Sequence, residues 1–125
     1  MHNFALVMLG GAAGAGLRYA VTLFAAHRLS PAFPWGTWLV NLGGGLLVGL
    51  LLGLIIVRGG EGEMLRLFVG AGLLGGFTTF SAFSAETAFM ILNGQLWMAA
   101  VYVASSVLGA VALLFLGLWL SGAGG

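Results

Sequence analysis

Gly36–Val57 reads GTWLVNLGGGLLVGLLLGLIIV, a stretch without one charged side chain. A helix that crosses a bilayer needs about 20 mostly apolar residues, and this segment meets that length alone. Three further stretches flank it on either side. Phe4–Ala26 carries one charge, Arg18; Leu67–Leu92 carries only Glu86; Leu96–Leu120 carries none. The chain has 125 residues, 61% hydrophobic and 6% charged, with a mean hydropathy of +1.13. A water-soluble domain needs a polar shell that this composition does not supply. The expected architecture is an all-α integral membrane protein, one domain over residues 1–125, with spans near 4–26, 36–57, 67–92 and 96–120.

The formal net charge of +1 gives no footprint for nucleic acid or for an acidic partner. The chain contains no cysteine, which rules out disulfides and thiolate metal sites. No signal peptide is expected, since Met1-His2-Asn3-Phe4 lacks a basic run and the apolar stretch behind it exceeds a signal core. His2 and His27 lie at or near segment ends without metal-ligand spacing, and no nucleophile–base set or phosphate loop is present, so no enzyme is expected. Basic loop residues normally mark the cytoplasmic side. Here Arg28 follows the first span, while Arg58 and Arg66 follow the second, diluted by Glu61 and Glu63. So slight a bias predicts insertion in both orientations and an antiparallel pair; the alternative is one orientation fixed by that bias.

Glycine recurs at four-residue spacing: Gly10 and Gly14; Gly45, Gly49 and Gly53; Gly72 and Gly76. Small residues let membrane helices approach backbone to backbone, so this pattern reads as a tight bundle, not as chemistry. Trp35, Trp38, Trp97 and Trp119 stand near segment ends and read as interface anchors. The third span differs. Gly75-Gly76-Phe77-Thr78-Thr79-Phe80-Ser81 puts two poor helix formers and two β-branched residues in its middle. One reading is a Gly kink in an unbroken helix. The other is a break, tolerated at membrane depth only where protein, water or an ion satisfies the freed backbone.

Ionisable and polar groups inside a span are expensive, so each is a candidate. Arg18 lies fourteen residues after Phe4, about 21 Å along a helix, and reads either as a snorkelling side chain or as a source of positive potential. Glu86 comes late in the third span and reads as facing an aqueous mouth. Asn41 is the one amide of the second span, and its two N–H donors suit either an anion or a neighbouring carbonyl. Tyr102 and Ser106 are four apart and so share a helix face. Ser81, Ser84, Thr87 and Ser105 are weaker candidates, since hydroxyls often bond their own helix. Phe80 and Phe83 are three apart; their positive ring edges could meet a small anion, although most such residues simply pack.

Three blocks carry a family likeness. Gly10-Gly11-Ala12-Ala13-Gly14-Ala15-Gly16-Leu17-Arg18-Tyr19 is similar to GGxxGAxxRY, Gly36-Thr37-Trp38-Leu39-Val40-Asn41 to GTxxVN, and Gly75–Glu86 to GGFTTFSTFSxE. Together with the length and four-span layout, they resemble the fluoride channel family known as Fluc or CrcB. The resemblance implies an antiparallel, dual-topology homodimer in the inner (plasma) membrane, with two pores lined by both subunits. It implies a broken third helix whose Gly75 and Thr78 carbonyls hold a structural sodium ion (Na+) at the dimer centre. Phe80 and Phe83 would offer ring edges to fluoride, Asn41 would donate hydrogen bonds, and Ser81, Tyr102 and Ser106 would continue a polar track. Arg18 would support the vestibule, and Glu86 would sit near a mouth. One departure is Ala110, the next rung after Ser106, where some relatives carry a hydroxyl.

Two rivals belong to other classes. A small dual-topology multidrug or cation exporter would need an embedded carboxylate where the first span carries Arg18. A purely structural membrane subunit would leave the Thr-Thr segment and the inward polar groups without a reason.

Overall fold

The computed structural model describes residues 2–57 and 66–122. Arg58, Glu61 and Glu63, on which the orientation bias partly rests, lie outside the described residues. Among the described residues every regular element is a helix and none is a strand: α1 is His2–Arg28 and α2 is Trp35–Val57. A π-helix, Arg66–Leu74, runs into the single turn α3, Gly75–Phe77; α4, Ser81–Leu92, and α5, Leu96–Leu120, follow. Four lengths are long and apolar enough to cross a membrane: His2–Arg28, Trp35–Val57, Arg66–Leu92 and Leu96–Leu120. The expected spans match these within about two residues, as helix ends allow. The chain is a multi-pass membrane protein.

Hydrophobic attraction does not pack one helix against another in lipid, so close backbone approach must. Two glycine seams supply it. On α2 and α5, a Cβ added at Gly45 would strike the backbone of Ala110, and one at Gly49 the backbone of Leu114. At Gly53 it would strike the side chain of Ser121. From α5, Gly117 returns the contact against Leu46 and Leu50. The partners rise together in number, so α2 and α5 run parallel. The second seam joins α1 to the third span: Gly10 lies against Phe68 and Gly72, Gly14 against Leu73 and Phe77, and Gly76 against Gly11. This pair is also parallel. Connections alternate up and down, with tight turns such as Asn93-Gly94, where Gly94 takes φ 77°.

The buried interior is thin. Val40 and Tyr102 are the largest fully enclosed side chains, and Tyr102, Met90 and Ala99 form a core cluster joined by Phe33, Trp38, Phe83 and Met98. Large apolar residues elsewhere, such as Phe4, Leu108 and Phe115, face outward. In lipid that exposure is the low-energy state.

The seam makes a direct contrast testable. Gly49→Val must push α5 away at its backbone and should lower thermal stability in detergent by about 2–3 kcal/mol, near the upper end for overpacking. Gly16→Ala, with nothing within 4 Å of the added carbon, should be neutral or stabilise by up to about 1 kcal/mol from helix propensity. Equal melting curves for the two variants would show that the seam is not a backbone contact.

Candidate functional site

The third span leaves helical geometry at Thr78–Phe80, where Thr78 takes φ −83° and ψ 157°. An extended residue turns its carbonyl away from the helix axis and ends the i→i+4 ladder. The two glycines before it favour no helix, and the two threonines lose rotamer freedom in one. Several of the freed groups are met by substitutes from other elements. Thr79 N–H donates to Asn41 Oδ1 and Asn41 Nδ2 donates to Thr79 O, both at 3.1 Å, so one amide pairs with one peptide group. Ala82 N–H, at the start of α4, donates to Thr79 Oγ1 at 3.2 Å. Arg18 Nε donates to Gly76 O at 3.2 Å. Thr78 keeps its backbone bond to Leu74 O at 3.0 Å and adds its hydroxyl to the same acceptor.

Asn41 therefore serves as a splint between α2 and the interrupted segment. A primary amide has two N–H donors, so the one on Thr79 O leaves a second. Arg18 is half-buried and tied to a carbonyl of the same segment; its side chain holds α1 to α3 as well as placing positive charge there.

Beside the splint lies a cavity of about 160 Å³ lined by Asn41, Phe80, Phe83, Ser106, Val107 and Ala110. Residues from α2, the interruption, α4 and α5 meet in it. Ser106 is 4% exposed, and its Oγ has no hydrogen-bond partner among the described residues. Leaving a buried hydroxyl unpaired costs about 1–3 kcal/mol. Phe80 and Phe83 have ring centroids 6.0 Å apart at 42°. No carboxylate lines this cavity. Its lining is one hydroxyl, one amide and two phenyl rings in an otherwise aliphatic wall.

Not every expected residue converges there. Ser81 is exposed and lies outside the cavity lining. Tyr102 packs its ring on Phe83 at 5.0 Å and donates its hydroxyl to Glu86 Oε1 at 3.2 Å. Glu86 borders two other cavities of about 220 and 240 Å³, at the end of the bundle that holds the Pro31–Pro34 loop. Phe80 is 79% exposed on this single chain. Ala110 lines the cavity where a hydroxyl would extend the donor row.

Three residues gained roles that the sequence reading did not give them. Thr37 is buried; it precedes Asn41 by four, a spacing that puts both on one face of α2. Thr79 supplies the hydroxyl that starts α4. Trp38 is corrected outright: it is half-buried, and its indole N–H donates to Ser105 Oγ at 2.9 Å, so it is not a lipid-facing anchor. Trp35 likewise turns inward onto Phe33 and Trp38. Trp97 and Trp119 are outward-facing, as anchors are.

Comparison with known proteins places the chain. Residues 5–118 match the family described as CrcB-like protein, Camphor Resistance (CrcB). A protein of Hyphomonas neptunium named fluoride-specific ion channel FluC is 48% identical over 122 residues, covering 97% of this chain and 96% of that one. Similarly named proteins of Mesorhizobium japonicum and Sphingopyxis alaskensis are 45% identical over 121 residues and 50% identical over 111 residues. They span 97% and 89% of this chain and 97% and 88% of their own lengths. With matches of this extent and identity, the chain belongs to the CrcB family.

Proposed function

We propose that this protein is a fluoride-selective channel that lets cytoplasmic fluoride leave passively across the plasma (inner) membrane. The observation that carries the reading is the unpartnered Ser106 hydroxyl, buried in one cavity with Asn41, Phe80 and Phe83. Fluoride is small and strongly hydrated, so a filter must replace its water with donors. A hydroxyl, an amide N–H and two ring edges do this while leaving the ion weakly enough held to move on. Fluoride enters cells as the neutral acid and is trapped as the anion at higher internal pH. A passive pore then suffices, without a coupling ion or nucleotide. The relatives named fluoride-specific ion channel FluC support the same conclusion. Tyr102, Glu86 and Ser81 extend the route beyond the cavity, with Glu86 at its mouth.

The working unit in this reading is an antiparallel homodimer of one four-helix domain, with the interrupted third span at its centre. Phe80, Ser81 and Gly75 are exposed on the single chain, and an interrupted backbone bared to hydrocarbon is costly. A second, inverted copy covers it. The carbonyls of Gly75 and Thr78 fit a structural sodium ion there. In a continuous helix they would accept from Thr79 and Ala82, but those N–H groups go to Asn41 and to the Thr79 hydroxyl instead. Unwound carbonyls of this kind are ligands for sodium, whose charge would add positive potential beside the pathway. A cation exporter is disfavoured by the same cavity, since its lining has hydrogen-bond donors and no carboxylate.

Efflux from liposomes that hold the purified protein tests the function. Fluoride should leave rapidly and chloride barely. Phe80→Ile and Asn41→Asp should each slow fluoride by at least about tenfold, the second because a carboxylate repels the ion and leaves the Thr79 carbonyl without its donor. Ser106→Ala should cost about tenfold, as loss of a hydrogen bond to a charged group does. Equal chloride and fluoride flux through the parent protein would end the reading. Topology is tested separately: a tag on either terminus should be reachable from both faces of the membrane in one population of cells. Access from one face alone would rule out the inverted pair.

A further inference from the structure

The four tryptophans divide by environment. Trp97 and Trp119 are 82% and 61% exposed, as interfacial rings are. Trp38 is caged. Its ring stands 84° to Trp35 at 5.5 Å and 72° to Phe33 at 6.2 Å, and Phe33 in turn stands edge-on to Tyr102 at 5.4 Å. A ring held by such contacts has little freedom to swing its N–H away. That N–H is on Ser105 Oγ.

Ser105 is the neighbour of Ser106 on α5. Successive helix residues diverge by about 100°, so fixing the direction of Ser105 also fixes that of Ser106. The glycine seam ties α2 to α5 from Gly45 and Ala110 onward. Trp38 and Ser105 tie the same two helices on the other side of the cavity. Asn41 and Ser106, the cavity's amide and hydroxyl, lie between the two ties. We infer that Trp38 is a positioning residue of the pathway: by holding Ser105, its indole N–H sets the roll of α5 that aims the Ser106 hydroxyl into the cavity. The effect on transport rests on the fluoride reading above; the roll of α5 does not.

The chain has no cysteine, so Ser106→Cys gives it a single thiol whose labelling by a small methanethiosulfonate reports the placement of that side chain. Trp38→Phe keeps an aromatic ring and removes the N–H. Added to Ser106→Cys, it should change the labelling rate by about three- to tenfold, the range that losing one interhelical hydrogen bond in a membrane allows. Ser105→Ala removes the acceptor, together with the hydroxyl's long bond to Tyr102 O on its own helix at 3.4 Å, and should do the same; it also serves where Trp38→Phe fails to accumulate. The two together should do no more than either alone. In liposomes, with Ser106 restored, Trp38→Phe should lower the fluoride-to-chloride flux ratio by a similar factor while the chromatographic profile stays that of the parent. Unchanged labelling in both variants, or effects of the two that multiply, would overturn the inference. Labelling that shifts in a protein whose parent passes no fluoride would uphold the role of Trp38 and remove the fluoride reading alone.

Discussion

Hydrocarbon offers no hydrogen bonds, and that constraint governs this molecule. Wherever the backbone of a span leaves the helix, each freed N–H and carbonyl needs a substitute from protein, water or an ion. At Thr78–Phe80 the substitutes come from three places: Asn41 on α2, Arg18 on α1, and the Thr79 hydroxyl itself. The interruption is therefore a junction where α1, α2 and the third span are tied by polar bonds inside an otherwise apolar bundle. The same ties bring the pathway residues together. Asn41 cannot splint Thr79 without standing beside Phe80, and Phe80 cannot leave the helix without turning toward the cavity that Ser106 borders.

Glycine makes that junction reachable. Arg18 meets the carbonyl of Gly76 because Gly14 and Gly76 let α1 and α3 approach at backbone distance. Side chains of ordinary size there would hold the two segments apart and strand the Gly76 carbonyl. The α2–α5 seam plays the matching part on the other side, setting Ala110 and Ser106 against the face of α2 that carries Asn41. Packing and chemistry are thus one arrangement: the small residues that bind the bundle also set the width of the space between the donors.

Much of this was legible in the sequence, because the bilayer leaves few options. Charge-free runs such as Gly36–Val57 can only be spans, and their ends followed to within about two residues. Gly-Gly and Thr-Thr, poor helix formers in the middle of a span, left both a kink and a break open there. The convergence of Asn41, Phe80, Phe83 and Ser106 was harder to see, since they lie on different elements and Ser106 falls outside the three blocks of family likeness. Trp38 was misread for a physical reason. A tryptophan near the end of a span serves equally well as an outward anchor or an inward donor, and local sequence does not say which face of the helix it occupies. The spacing that separates the cases was present, since Trp38 precedes Asn41 by three and so shares its side of α2. The π-helical winding of Arg66–Leu74 had no comparable signal, and nothing in its composition accounts for it.

The scarcity of strong donors in the cavity follows from what a conduit must do. A lysine or arginine inside the 160 Å³ space would hold a fluoride ion tightly in a low dielectric, and an ion so held would not leave quickly. Arg18 is instead committed to the Gly76 carbonyl, near enough to lend potential and unable to chelate. Asn41 has half its donor capacity taken by Thr79, and Ser106 brings a single hydroxyl. In the proposed pathway each contact would replace part of the hydration shell and none all of it, which would spread the ion's binding energy along the wall. On that proposal, selectivity for the smallest halide would come from how closely these partial donors stand, a distance that the glycine seams and the Asn41 splint set together.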